Sequence, residues 1–199
     1  LVIFTTTLQA QDTATYSKPS WYFGAALGSN FNFYRGSTQM LNESFTPPAT
    51  FNNGYGAGLY VAPAIEYYRP GTRLGFMFQV GFDSRRGHFN EVRTDCNCQA
   101  NLDTKLSYIS IEPNLRFAPF KSSFYLYGGP RLAFSQNKSF VYDQQINWDY
   151  PNQVKPADVE GDFSEINSTI ISMQIGLGYD IPLNSTTSKT QFVLSPFAF

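Results

Sequence analysis

From residue 21 onward, apolar and polar positions alternate at period two, the mark of strands whose two faces meet different surroundings. Over 21–34, Trp21, Phe23, Leu27, Phe31 and Phe33 share one face, and Tyr22, Gly24, Ala26, Gly28, Asn30 and Asn32 share the other. Over 55–67, Tyr55, Leu59, Val61 and Ile65 oppose Gly56, Gly58, Tyr60 and Glu66. Segments 74–82, 107–117, 124–134 and 171–181 repeat the arrangement, and a last strand begins near Gln191 with ambiguous facing. The pattern predicts seven strands, most of about ten to thirteen residues.

The connections alternate in length. Long ones cover 35–53, about 86–105, and 135–168; short ones cover 69–72, 118–122 and 182–189, each with a proline (Pro70, Pro119, Pro182). Long strands joined this way predict an all-β, antiparallel up-and-down transmembrane barrel, with short turns at one end and long loops at the other. Twelve residues at about 3.3 Å each, tilted near 40°, rise about 30 Å, enough to cross the apolar band of a bilayer. A soluble lipocalin-like barrel or a secreted sandwich would instead turn the bulky face inward. The polar face speaks against both, because it is rich in glycine: Gly24, Gly28, Gly56, Gly58, Gly75, Gly81, Gly129, Gly176 and Gly178. On a water-facing strand such glycines weaken the sheet without return, whereas inside a narrow barrel they make room for Tyr22, Tyr60, Tyr108 and Tyr125. Pro63, Pro113, Pro130 and Pro196 fall inside strands, where a closed sheet wants donors, and bulges are the expected accommodation.

Composition narrows this picture. Aromatics make up 17% of the 199 residues and charged residues 15%, against about 25% charged in soluble domains. Mean hydropathy is −0.26, and no run approaches the roughly 18 apolar residues of a membrane helix. Disorder and helical membrane spans are excluded, so the apolar residues are spread along strands. The net charge of −1 offers no general attraction to nucleic acid. At the N-terminus, 1–10 reads as the end of a cleaved export signal, with Ala10 as the last residue before the cut. A first β-strand is the alternative for that stretch. Residues 11–19 read as a periplasmic tether and 20–199 as the barrel.

The runs GYGAGLYVAPAIEYYRPGTRLGFMFQVGFDSRRG, YISIEPNLRFAPF, FYLYGGPRLAF and FVLSPFAF resemble OmpA-type outer-membrane β-barrel proteins, especially those of Bacteroidota. The resemblance implies eight antiparallel strands, a bacterial outer-membrane location, insertion by the barrel assembly machinery, contact with outer-membrane lipid and lipopolysaccharide, and in some members a downstream peptidoglycan-binding domain. Bacterial barrels have an even number of strands, so seven of eight strands are expected here, with the barrel incomplete at its C-terminus. The family shares architecture more than chemistry.

The expected lumen carries a polar network: Glu66, Gln79, Glu112, Arg116, Arg131, Gln174 and Asp180, with Asp83 and Arg85 near it. About the turn at 118–122, position 112 is expected nearly opposite 129, placing Arg131 diagonal to Glu112 and within reach. A static polar plug is the first reading, and a gate admitting small solutes, as in a narrow porin-like channel, is the second. No catalytic residue, cofactor or metal is expected. The sole histidine, His88, sits in a predicted loop near Asp83, Ser84 and Asp95, a thin basis for a barrel enzyme acting on lipid A or phospholipid. Cys96 and Cys98 form a C-x-C in the same loop; an exported compartment favours a small local disulfide, with free thiols and cross-chain pairing as alternatives. The third long loop is acidic, with Asp143, Asp149, Asp158, Glu160, Asp162 and Glu165 against Lys138 and Lys155.

Overall fold

The structure is a computed structural model. It describes residues 2–5, 21–38, 40–68, 72–93, 96–120, 123–147, 149, 154–185 and 190–199. Its strands are β1 (Val2–Thr5), β2 (Trp21–Thr38), β3 (Phe51–Tyr68), β4 (Leu74–Arg93), β5 (Cys98–Phe117), β6 (Phe124–Gln144), β7 (Val159–Asp162), β8 (Thr169–Tyr179), β9 (Ile181–Pro182), β10 (Phe192–Ser195) and β11 (Phe197–Ala198). The seven predicted traverses are β2, β3, β4, β5, β6, β8 with β9, and β10 with β11, each antiparallel to the next. β7 flanks the upper part of β6. Of the segment 1–10, Val2–Thr5 pair on both sides, Ile3 with Ala25 of β2 and with Leu194 of β10. β2 and β10 run in the same direction, so only an antiparallel strand fits between them, and β1 takes that place. The rest of 1–10 and the tether lie outside the described residues.

The outer face is apolar and the inner face polar. Phe31 and Phe33 are 73% and 80% exposed, while Glu66 and Glu112 are 1% exposed. A water-soluble domain cannot tolerate that distribution; a barrel in hydrocarbon requires it. The inner glycines stand where tyrosines need space. A Cβ on Gly81, Gly176 or Gly178 would come within 2.6, 2.5 or 2.3 Å of the rings of Tyr60, Tyr127 and Tyr125.

The strands are longer than the sequence pattern predicts, and the reason lies in a change of face content. β5 alternates between buried and more open positions along its whole length. Its inner positions run Cys98, Ala100, Leu102, Thr104, Leu106, Tyr108, and then Ser110, Glu112, Asn114, Arg116. Its outer positions run Gln99, Asn101, Asp103, Lys105, Ser107, and then Ile109, Ile111, Pro113, Leu115, Phe117. Below Ile109 the apolar face looks out; above Tyr108 it looks in. The same exchange follows Phe82 on β4 and Phe134 on β6, and Ile109 is in register with both. Nine residues from Ile109 to Phe117, at about 3.3 Å and a tilt near 40°, span about 23 Å, close to the height of a barrel's apolar band. The outer limit of the belt drifts in one direction around the wall, from Ile171 on β8 to Phe33 on β2, as tilted strands require.

Above the belt, residues 86–93, 98–105 and 135–144 of the expected loops are therefore strand. Phe89, Leu102, Phe140 and Tyr142 pack inward with Phe51 at the start of β3, and Leu41 and Ala49 from the first connection and Phe163 from the third close over them. Phe140 and Phe163 rings lie 5.0 Å apart. Ser164 N–H donates to the Leu41 carbonyl at 3.2 Å, tying the two connections together.

The strand prolines need no bulges. β3 and β4 keep one register from Val61↔Phe82 to Ala64↔Gln79 on either side of Pro63. β5 and β6 keep one register from Ile111↔Leu132 to Leu115↔Gly128, which sets Pro113 across from Pro130. The sheet simply omits those rungs. Register shifts lie elsewhere, between Arg35 and Thr38 and between Ser107 and Tyr108. Pro196 separates β10 from β11, and its carbonyl accepts from Tyr179 N–H at 3.0 Å.

Candidate functional site

Inward-pointing positions of five traverses bring the predicted polar residues together in two tiers. The lower tier, near the short turns, centres on Arg116 of β5. Its Nη1 donates to Glu66 Oε1 at 2.5 Å, and its Nη2 donates to Asp180 Oδ2. The guanidinium carbon lies 3.3 Å from the Tyr125 ring centroid and 4.6 Å from that of Tyr68. Asp180, between β8 and β9, also accepts from Ser195 Oγ at 2.7 Å and Tyr68 Oη at 3.3 Å. One cation thus serves two carboxylates and rests on two aromatic faces, an arrangement suited to the planar guanidinium.

The upper tier centres on Arg131 of β6. Its Nη2 donates to Asp83 Oδ2 at 2.7 Å, and its Nε lies 3.1 Å from Glu112 Oε1. Asp83 also accepts from Arg85 Nε at 2.7 Å and from the Asn30 amide. Glu112 accepts from Ser110 Oγ at 2.5 Å, Tyr60 Oη at 3.1 Å and Gln174 Nε2 at 3.1 Å. Gln174 donates in addition to Asn114 Oδ1 at 3.0 Å. Gln79 is buried on β4, in register with Glu112 on one side and Ala64 on the other. The constant β5–β6 register puts Arg131 directly across from Glu112, not diagonal to it, because pairing starts at Phe117↔Leu126 and the connection is two residues longer than the sequence reading took it to be.

Two arginines face two carboxylates in the upper tier, and one arginine faces two in the lower. Each charge taken from water is thereby met by opposite charge and hydrogen bonds. Tyr60, Tyr68, Ser110, Asn114, Tyr125 and Ser195 complete the network. Sequence reasoning did not give them this role, although their parity with Glu112, Glu66 or Arg116 marks most of them as inward. Ser195 lay in the strand of ambiguous facing.

The other candidate residues lie apart from the lumen. His88 Nδ1 is 2.5 Å from Asp103 Oδ1 on the outer face above the belt, on the opposite side of its strand from Asp83. Asp95 lies outside the described residues. Cys96 and Cys98 are joined by a disulfide at the tip of the β4–β5 hairpin, Cα atoms 5.1 Å apart. Asn97 between them has φ of 48°, a left-handed position that asparagine tolerates. In the acidic connection, Lys155 Nζ lies 2.7 Å from Asp143 Oδ1 and 3.3 Å from Asp158 Oδ1. That lysine holds the Asp143 carboxyl below its ordinary range, and the two carboxylates in turn raise Lys155.

Over residues 9–195 the chain matches the family profile described as outer membrane protein beta-barrel domain. Searches of curated proteins and of solved structures gave no match.

Proposed function

The chain belongs to the outer membrane protein β-barrel domain family, and from that premise we propose that it is a non-enzymatic, envelope-stabilising barrel of the OmpA type, its lumen plugged and its rim exposed for recognition. The observation that carries this reading is the pairing of Arg116 with Glu66 and Asp180, and of Arg131 with Asp83 and Glu112, across the lumen. A solute entering between the tiers would have to break pairs that each cost about 3–5 kcal/mol to leave half-made. Purified and inserted into planar bilayers, the protein is expected to give no steady unit conductance. Steady openings of the unmodified protein that vanish or change size with Arg131→Ala overturn the plug.

The second reading is a narrow channel for small solutes. One observation favours it: Nε of Arg116, Nε of Arg131 and Oε1 of Gln174 are buried without a hydrogen-bond partner among the described residues. Buried polar atoms of this kind are commonly served by water, and a file of water is the beginning of a conducting path. The bilayer measurement separates the two readings.

A further inference from the structure

The pairing of Pro113 with Pro130 leaves a fault in the wall. On their far sides both keep their partners, Phe78↔Pro113 and Pro130↔Met173. Between them the ladder lapses over 112–114 on β5 and 129–131 on β6. Neither ring nitrogen can donate, so the same seam lacks both donors. The carbonyl of Pro113 crowds Gly129 so closely that a Cβ there would stand 2.0 Å from it. On the outer side of this seam the wall is hollowed into a groove of about 780 Å³ lined by Phe76, Leu115, Phe117, Leu126, Met173 and Ile175. Gly128 forms part of its floor, where a side chain would otherwise fill it.

We propose that this groove is a fixed binding site for one acyl chain of a membrane lipid. Its lining is continuous with the bilayer-facing belt, and it lies below the row of Ile109, so hydrocarbon is what meets it. A convex barrel wall offers a lipid tail one strand's side chains. Here a tail meets side chains from four strands and gains dispersion contacts that an empty hollow would forfeit. The volume falls within the range of pockets that retain small ligands. Asn114 and Gln174, which hydrogen-bond to each other in the lumen, also border the groove. An occupant therefore bears on the same seam as the upper polar tier. The inference rests on the membrane-barrel reading.

The test uses the full chain folded into phosphatidylcholine vesicles containing a trace of phospholipid with a photoactivatable diazirine on one acyl chain, followed by peptide mapping of the adducts. Adducts at Leu115, Leu126, Met173 and Ile175 are expected to exceed those at Leu27, Leu59 and Val61 on the far wall by about fivefold, reflecting the extra contacts. Gly128→Leu and Met173→Trp, which fill the groove from different strands, are each expected to remove that excess and leave far-wall labelling unchanged. Met173 is 77% exposed, so its replacement does not disturb a packed interior. Even labelling around the wall, or an excess untouched by both variants, overturns the site while leaving the membrane seating intact. Groove labelling that falls as the protein-to-lipid ratio is raised, with far-wall labelling unchanged, identifies a second copy as the occupant and also overturns it. Absence of labelling on both walls defeats the membrane reading itself.

Discussion

Glu112 shows how much a single lumen residue holds. It is 1% exposed and meets Tyr60, Ser110, Gln174 and Arg131 from four strands. Glu112→Ala strips those donors of their acceptor and leaves Arg131 dependent on Asp83. A loss of about 3–5 kcal/mol is expected, read as a lower urea midpoint for unfolding from vesicles. Replacing both partners, as in Glu112→Leu with Arg131→Met, is expected to cost less than the single change, since no uncompensated charge remains buried. Arg116→Lys is expected to destabilise as well, because an ammonium cannot serve two carboxylates and two ring faces in one plane. Outside the membrane, the Asp143–Lys155 contact gives a pH dependence of known sign. A carboxyl depressed on folding contributes stability that is present above its unfolded value and lost as pH falls through the folded one. Amide protection factors in the β6–β7 rungs, corrected for intrinsic exchange, are therefore expected to fall as pH drops below about 3.9. Protection unchanged across that range would separate the contact from the folding of this connection.

At the scale of the strand, the informative feature is the exchange of faces at Tyr108 and Ile109. It predicts opposite rules for neighbouring positions on β5. Leu102→Ala, inside the upper core, is expected to cost about 2–5 kcal/mol, whereas Ile111→Lys, inside the belt, is expected to cost up to about 2–4 kcal/mol by putting charge into lipid. Unfolding from vesicles measures both, and Lys105→Gln, outside and above the belt, serves as the neutral control. The same exchange explains what was legible. Alternation with bulky residues outward is read easily over 74–82 and 107–117, so the belt strands and their inward charges emerge from sequence. Higher up, 86–105 has Arg86, His88, Asp103 and Lys105 on one face and Phe89, Ala100 and Leu102 on the other. That is still alternation, but with the phase inverted, and a search for apolar-outward strands reads it as loop. The register of Glu112 against Arg131 was missed by two residues because turn length is not written in the hydrophobic pattern. The partners Tyr60 and Ser110 were concealed by an emphasis on charge.

For the molecule as a whole, pairing runs around the ring through β1, whose four residues meet both β2 and β10. That closure was not legible, because 1–10 carries no alternation distinguishing a strand from a leader. The seven longer traverses were, since each repeats the same two-faced pattern. A barrel of this kind is expected to resist detergent unless heated, so boiled and unboiled samples should migrate differently on a gel and fractionate with the outer membrane. Identical mobility together with recovery in soluble periplasm contradicts the fold as membrane-seated. The row of Phe82, Ile109 and Phe134 has a further consequence. Sliding the barrel outward by two residues would lift Ile109 into water, and sinking it by the same amount would bring Ser84, Ser107 and Asn137 into oil. The protein therefore carries its own waterline, and the height at which its rim stands above the bilayer is fixed by side chains rather than by anything that grips it from either side.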